Sequence, residues 1–110
     1  MRRLKFPRPN NMHSHLRQSG LMIGLVREAA KVFGWVLPMP NTRDPIAPGL
    51  SQGGLYTAWD VVEYERQLRE CIPDKSAMKL FMTLKLGMDT TVRMINAAWV
   101  SGARAAKLYP

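Results

Sequence analysis

The chain has 110 residues, 46% of them hydrophobic and 22% charged, which are the proportions of a folded domain with one small core rather than of a disordered tail. Its 16 Lys and Arg outnumber 8 Asp and Glu, giving a formal charge of +8. The basic residues are nonetheless scattered, without a like-charge run or interleaved aromatics, and this argues against a dedicated nucleic-acid binder.

The first segment, "MRRLKFPRP", is basic but is not followed at once by an apolar run, so it does not read as a secretory signal. Within it "RLKF" at 3–6 reads as a short first strand leading to "NNMHSHLRQSG". Ser19 is then placed to cap a helix with Met22, Leu25, Ala29 and Val32 on its apolar face, and Gly34 suits a left-handed residue closing that helix. Arg27, Glu28 and Lys31 interrupt this most apolar stretch and exclude a membrane span.

"WVLPM" at 35–39 is an uninterrupted apolar run of the kind that forms a strand buried on both faces. A loop rich in turn formers follows, with Pro45, Pro48, Gly49, Gly53 and Gly54. Thr57 and Asp60 have the spacing of a capping box, opening a helix with Val61, Tyr64, Leu68 and Cys71 on one face, which Pro73 stops. "MKLFMTL" at 78–84 reads as a third strand. Asp89 or Thr90 then caps a third helix bearing Val92, Ile95 and Trp99, Gly102 closes it, and "AAKLY" at 105–109 is a fourth strand.

The order β, α, β, α, β, α, β predicts an α/β fold with four parallel strands in sequential order and three helices on one face. Trp35, Trp59, Trp99 and the eight methionines are expected in the core, since they fall in strands or helices. The lone Cys71 cannot close an internal disulfide, fits a reducing, cytoplasmic setting, and reads as a small buried apolar residue near a helix end.

His13 and His15 are the only histidines, and they stand two residues apart. On extended backbone such residues share a face, so both imidazoles can reach one cation such as zinc. The spacing alone leaves two ordinary loop histidines as the alternative. Lys107 is by itself a solvated or snorkelling charge. Arg17 is equally a carboxylate fork or a surface arginine, and Asn41 equally a ligand contact or a turn former.

"MHSHLR" after the first strand, "MPNT" after the second, "FMTL" on the third and "AAKLYP" on the fourth occur in an order that resembles the dihydroorotases of the amidohydrolase superfamily. The resemblance implies a zinc-dependent cyclic amidohydrolase of pyrimidine biosynthesis, acting reversibly on dihydroorotate to give N-carbamoyl-aspartate. It implies His13 and His15 as ligands of one zinc ion, Lys107 as a carboxylated lysine bridging two, and Arg17 and Asn41 as holders of the substrate carboxylate. These positions fall at the C-terminal ends of strands, where (β/α)8 barrels build their sites.

The same resemblance implies that residues 1–110 are the N-terminal half of a TIM (β/α)8 barrel, truncated after its fourth strand. No third histidine and no strand-eight aspartate are present, so no catalytic residue is expected in this piece, and the piece alone is expected to be inactive. A small-molecule substrate and no nucleic-acid or membrane partner are implied, and a homo-oligomer is allowed. Asn11 and Gln18 stand where the family often has acidic residues, Asp44 replaces a proline, and "IAPGLSQGGLYTAW" is longer than expected. The alternative from another class is a small basic binding module, without catalysis, for an anionic partner.

Overall fold

The computed structural model describes residues 2–42 and 53–109. Asp44, Pro45, Pro48 and Gly49 of the long loop, and the proline of "KLYP", lie outside them. The elements are β1 (Asn11–Ser14), α1 (Met22–Val32), β2 (Trp35–Pro38), α2 (Ala58–Cys71), β3 (Lys79–Leu80), β4 (Thr83–Leu86), α3 (Val92–Val100) and β5 (Ala105–Leu108). Every strand pair is parallel: β1 with β2, β2 with β3, and β4 with β5.

The sequential order of the strands is as expected, but the third strand is split. Its first part pairs with β2 and its second part with β5, and the change of partner occurs at Phe81 and Met82. Phe81 N donates to Val36 O at 2.8 Å, whereas Met82 O accepts from Arg104 N at 2.8 Å. The cause of the split lies in the segment before α2. Leu55 N donates to Pro40 O at 3.0 Å and Leu55 O accepts from Lys85 N at 2.7 Å, so this residue wedges between the ends of β2 and β4. Leu55 is fully buried. A position assigned to an irregular loop therefore supplies both a core side chain and a bridge within the sheet.

Residues 3–6 do not form the first strand. Strand β1 starts at Asn11 and contains His13 itself. Pro7 and Pro9 limit regular pairing before it, and Arg3 to Phe6 are exposed. Ser19 does not cap α1 directly. Its side chain accepts from Leu21 N at 3.1 Å in the turn before the helix, whose N-cap Leu21 has no side-chain cap. Gly34 is not left-handed; the residue before it, Phe33, is already extended at φ −93°. Gly102 does take a positive φ of 111°, where a side chain would be strained.

The core joins Val26, Ala29 and Ala30 of α1 and Val61, Tyr64 and Leu68 of α2 to Val36, Leu80, Met82 and Leu84. The α2 face is the one its spacing predicts, and its capping box is intact: Asp60 N donates to Thr57 Oγ1 at 3.1 Å and Thr57 N to Asp60 Oδ2 at 2.9 Å. Helices α1 and α3 are rotated about their axes from the expected orientation. Leu25 and Val32 are exposed while Val26 is buried, and Val92, Ile95 and Trp99 are exposed while Ala98 is buried. Both helices pack against α2, and their buried residues are mostly small, Ala29 and Ala30 beside Val26 in α1 and Ala98 in α3, while their larger side chains face outward.

The tryptophans are not core residues: Trp35, Trp59 and Trp99 are 40%, 68% and 57% exposed. The indole ring of Trp99 is covered by the guanidinium of Arg104 at 4.2 Å, and Trp35 meets Phe81 edge-on. Met39, Met78 and Met82 are buried as expected, but Met12 and Met88 are exposed. Cys71 is free, half-buried at the last residue of α2, and packed against the core.

Candidate functional site

The C-terminal ends of β1, β2 and β5 bring the candidate residues to one edge of the sheet. Met39 N donates to Ser14 O at 2.8 Å, tying the exit of β2 to that of β1, and Gln18 N donates to Thr42 O at 3.2 Å between the loops that follow. These two bonds place the Arg17 loop beside the Asn41 loop. Helix α2 holds the first loop from behind. The buried Tyr64 hydroxyl donates to Leu16 O, and Gln18 Nε2 donates to Gln67 Oε1 at 2.7 Å. Burial pushes the Tyr64 pKa well above the ordinary tyrosine range, so this donor keeps its proton.

His13 and His15 converge, their Nε2 atoms 3.2 Å apart. Two imidazole nitrogens bound at about 2.0–2.1 Å to one tetrahedral ion would stand about 3.3 Å apart, so the pair fits a shared zinc. Asn11 orients the strand locally, its Oδ1 accepting from His13 N at 3.0 Å. Partial burial, and after it the charges of Arg17, His13 and Lys107, lower the His15 pKa. This favours the neutral imidazole that a metal requires.

Lys107 lies on β5 with its Nζ 3.1 Å from Met39 Sδ and 5.0 Å from the Tyr109 ring centroid. Its charge acts on His15, which brings the histidine pair, Arg17 and Lys107 into one electrostatic neighbourhood. Arg17 is exposed, and Asn41 is half-buried beside the fully buried Thr42. Among the described residues no three His, Cys, Asp or Glu side chains gather, so these residues do not form a complete metal cage.

Three residues at this edge were not singled out from the sequence: Lys85, Tyr56 and Tyr109. Lys85 is in register with Lys107 on the adjacent parallel strand, so the two share a face of the sheet. Its Nζ lies 5.1 Å from the Tyr56 ring centroid and 4.9 Å from that of Tyr109. Gly54 makes room for this: a Cβ there would come 2.9 Å from Lys85 Cδ and 3.1 Å from Pro40 O. The register of two lysines on neighbouring strands was available only as the pattern "TLKL" and "AAKL", which shows the alternation but not the pairing.

No family model matches the chain. It is 33% identical over 107 residues to a dihydroorotase of Variovorax paradoxus, covering 97% of this chain and 29% of that protein. A dihydroorotase of Azoarcus sp. is 33% identical over 111 residues, covering 100% of this chain and 30% of that protein. The chain resembles the dihydroorotases along its whole length. A dihydroorotase of Neisseria meningitidis serogroup C agrees, at 30% identity over 110 residues.

The dihydroorotase from Campylobacter jejuni superposes with a TM-score of 0.75 at 22% identity, over 94% of this chain and 27% of that one. The fold is thus that of a dihydroorotase over part of its barrel: an open set of parallel strands with three helices. This chain spans just under a third of the length of the curated dihydroorotases it matches. The matches lend no support to a basic binding module. Among the described residues no helix is long and apolar enough to cross a membrane.

Proposed function

We propose that residues 1–110 supply part of a dihydroorotase barrel, in which His13, His15 and Lys107 are metal ligands and Arg17 and Asn41 bind the substrate carboxylate. The observation that carries this reading is the convergence of His13 and His15 at 3.2 Å, in a chain whose similarity to dihydroorotases runs end to end. In the complete protein the reaction is reversible hydrolysis of the cyclic amide of dihydroorotate to N-carbamoyl-aspartate. The single cysteine is in keeping with action in a reducing cytoplasm.

In this reading the neutral imidazoles of His13 and His15 are donors to zinc, and Lys107 becomes an anionic oxygen donor when its amine nitrogen bonds to CO2 and releases a proton. Zinc, when bound, supplies Lewis acidity toward the amide carbonyl and lowers the pKa of water. The Arg17 guanidinium offers two parallel N–H donors to a carboxylate, and Asn41, across the Gln18–Thr42 backbone bond, fixes the other side of the same group. Tyr64 and Gln67 hold the Arg17 loop through Leu16 and Gln18. A two-zinc centre needs more donors than these three, so the remaining ligands and the general base come from outside these residues.

The test is reconstitution. Fused to the remaining strands of a dihydroorotase and loaded with zinc and bicarbonate, the chain should hydrolyse dihydroorotate. His13→Ala, His15→Ala or Lys107→Ala should each abolish turnover, while the 110 residues alone bind zinc weakly and turn over nothing. A reconstituted enzyme indifferent to Lys107→Ala would remove the bridging role, and activity of the isolated chain would remove the need for further ligands.

A further inference from the structure

At the N-terminal ends of the strands, opposite the edge that carries His13 and His15, lies a basic cavity of about 420 Å³. The approach to β1, the last turns of α1 and the turn between α2 and β3 surround it. Arg8, Arg27, Lys31 and Lys75 line it, and among the described residues no carboxylate does. The four cations thus come from three segments far apart in sequence.

Each is held differently. Arg8 Nη2 donates to Ala30 O at 2.8 Å, which fixes the guanidinium at the rim and leaves the rest of its fork open. Lys31 is balanced by Glu28 at 2.6 Å in a solvated pair. Arg27 and Lys75 have no carboxylate within ion-pairing distance among the described residues. Arg27 lies close enough to the end of α2 for its charge to act on the Cys71 thiol. Asp74, next to Lys75 in sequence, is exposed and outside the lining. Ser76 Oγ accepts from Met78 N at 3.1 Å, and its hydroxyl proton remains to be donated.

Cations gather at helix C-termini, and the ends of α1 and α2 both meet here. Two such ends carry about half a negative charge each, and Glu28 adds one more, so four cations exceed the local negative charge by about two. A phosphate monoester carries about −1.5 to −2 at neutral pH and matches this excess, whereas a monocarboxylate leaves half of it. Its oxygens also suit the planar forks of Arg8 and Arg27. Between the cations the lining is apolar, with Ala30, Pro73 and Ala77, and the volume falls in the range of small-molecule sites, about 300–1,000 Å³. There is room for an organic group beside the phosphate.

We propose that this cavity binds the phosphate monoester of a small organic molecule. Arg8, Arg27, Lys75 and the Ser76 hydroxyl donate to the phosphate, and the organic group lies against Pro73 and Ala77. The site is separate from the metal and substrate positions assigned above, and it does not depend on the dihydroorotase reading.

The experiment is ligand-observed saturation-transfer NMR on the 110-residue chain, with phenyl phosphate and benzoate as probes and inorganic phosphate as competitor. Phenyl phosphate should bind more tightly than benzoate, and inorganic phosphate should displace it. Arg27→Gln and Lys75→Gln should each weaken phenyl phosphate by about tenfold, the size of one charge-assisted hydrogen bond. Arg93→Gln, which removes the same charge from an exposed position on α3, and Arg17→Gln at the other end of the strands should each stay within about twofold. Lys75→Arg should retain binding, and Ala77→Glu, which sets a carboxylate in the lining at an exposed position, should abolish it. An equal loss in Arg93→Gln would reduce the effect to the net charge of the chain and overturn the site. So would benzoate bound as tightly as phenyl phosphate, or an affinity unchanged in both Arg27→Gln and Lys75→Gln.

Discussion

His15 shows how a single residue joins backbone geometry to chemistry. Partial burial and the neighbouring charges of Arg17, His13 and Lys107 lower its pKa below the ordinary 6.5. The unfolded chain thus takes up this proton more readily than the folded one. The contribution of His15 to stability is intact above about pH 6.5 and is lost as the pH falls from there through the folded value. Proton NMR of the metal-free chain should give a His15 midpoint below 6.5, and Arg17→Met should move it upward; a midpoint at or above 6.5 would contradict the arrangement. Tyr64 acts on the same loop from the core. Tyr64→Phe leaves the Leu16 carbonyl without its side-chain donor and should lower stability by about 1–3 kcal/mol, read from the urea midpoint.

At the scale of elements, α2 is the best-specified piece of the molecule. Its capping box, its buried Val61, Tyr64 and Leu68, and its outer ion pairs Arg66 with Glu63 and Glu70, and Arg69 with Glu65, are all encoded within a few residues of one another. The ion pairs are solvated and contribute little. The cap contributes more: Thr57→Ala should cost about 1 kcal/mol in chemical denaturation. The segment before α2 is specified differently. Gly54 lets Leu55 bridge Pro40 and Lys85, and Gly54→Ala forces a methyl against Pro40 O and the Lys85 side chain. It should destabilise by about 1–3 kcal/mol and disturb the Lys85 and Tyr56 resonances more than those of α1.

For the whole molecule the controlling fact is what the sheets leave uncovered. Strands β1 and β5 each pair on one side among the described residues, and Leu108, Trp99 and Val100 beside the latter are 69%, 57% and 84% exposed. Unpaired edges beside exposed apolar side chains invite self-association. Sedimentation velocity of the 110-residue chain should show assembly that grows with concentration in the micromolar range. A monomer with a sharp cooperative melt at those concentrations would show that the exposed face is tolerated.

Features carried by neighbouring residues were legible in the sequence alone. The β and α alternation, the Thr57 and Asp60 cap, the stop at Pro73, and the shared side of His13 and His15 all depend on local periodicity and short-range hydrogen bonds. The ordered motifs also carried the family resemblance and placed Arg17, Asn41 and Lys107 at strand ends. The start of the first strand was misplaced because "RLKF" has strand-like composition but its pairing partner, β2, reaches only as far back as Asn11. Which side of α1 and α3 is buried was decided by their packing against α2 and the shared core, where Ala30 and Ala98 join side chains distant in sequence. The split of the third strand, the wedge of Leu55 and the meeting of Lys85 with Tyr109 were likewise decided only in three dimensions, because strand register and cavity lining arise from contacts between segments that no local pattern relates.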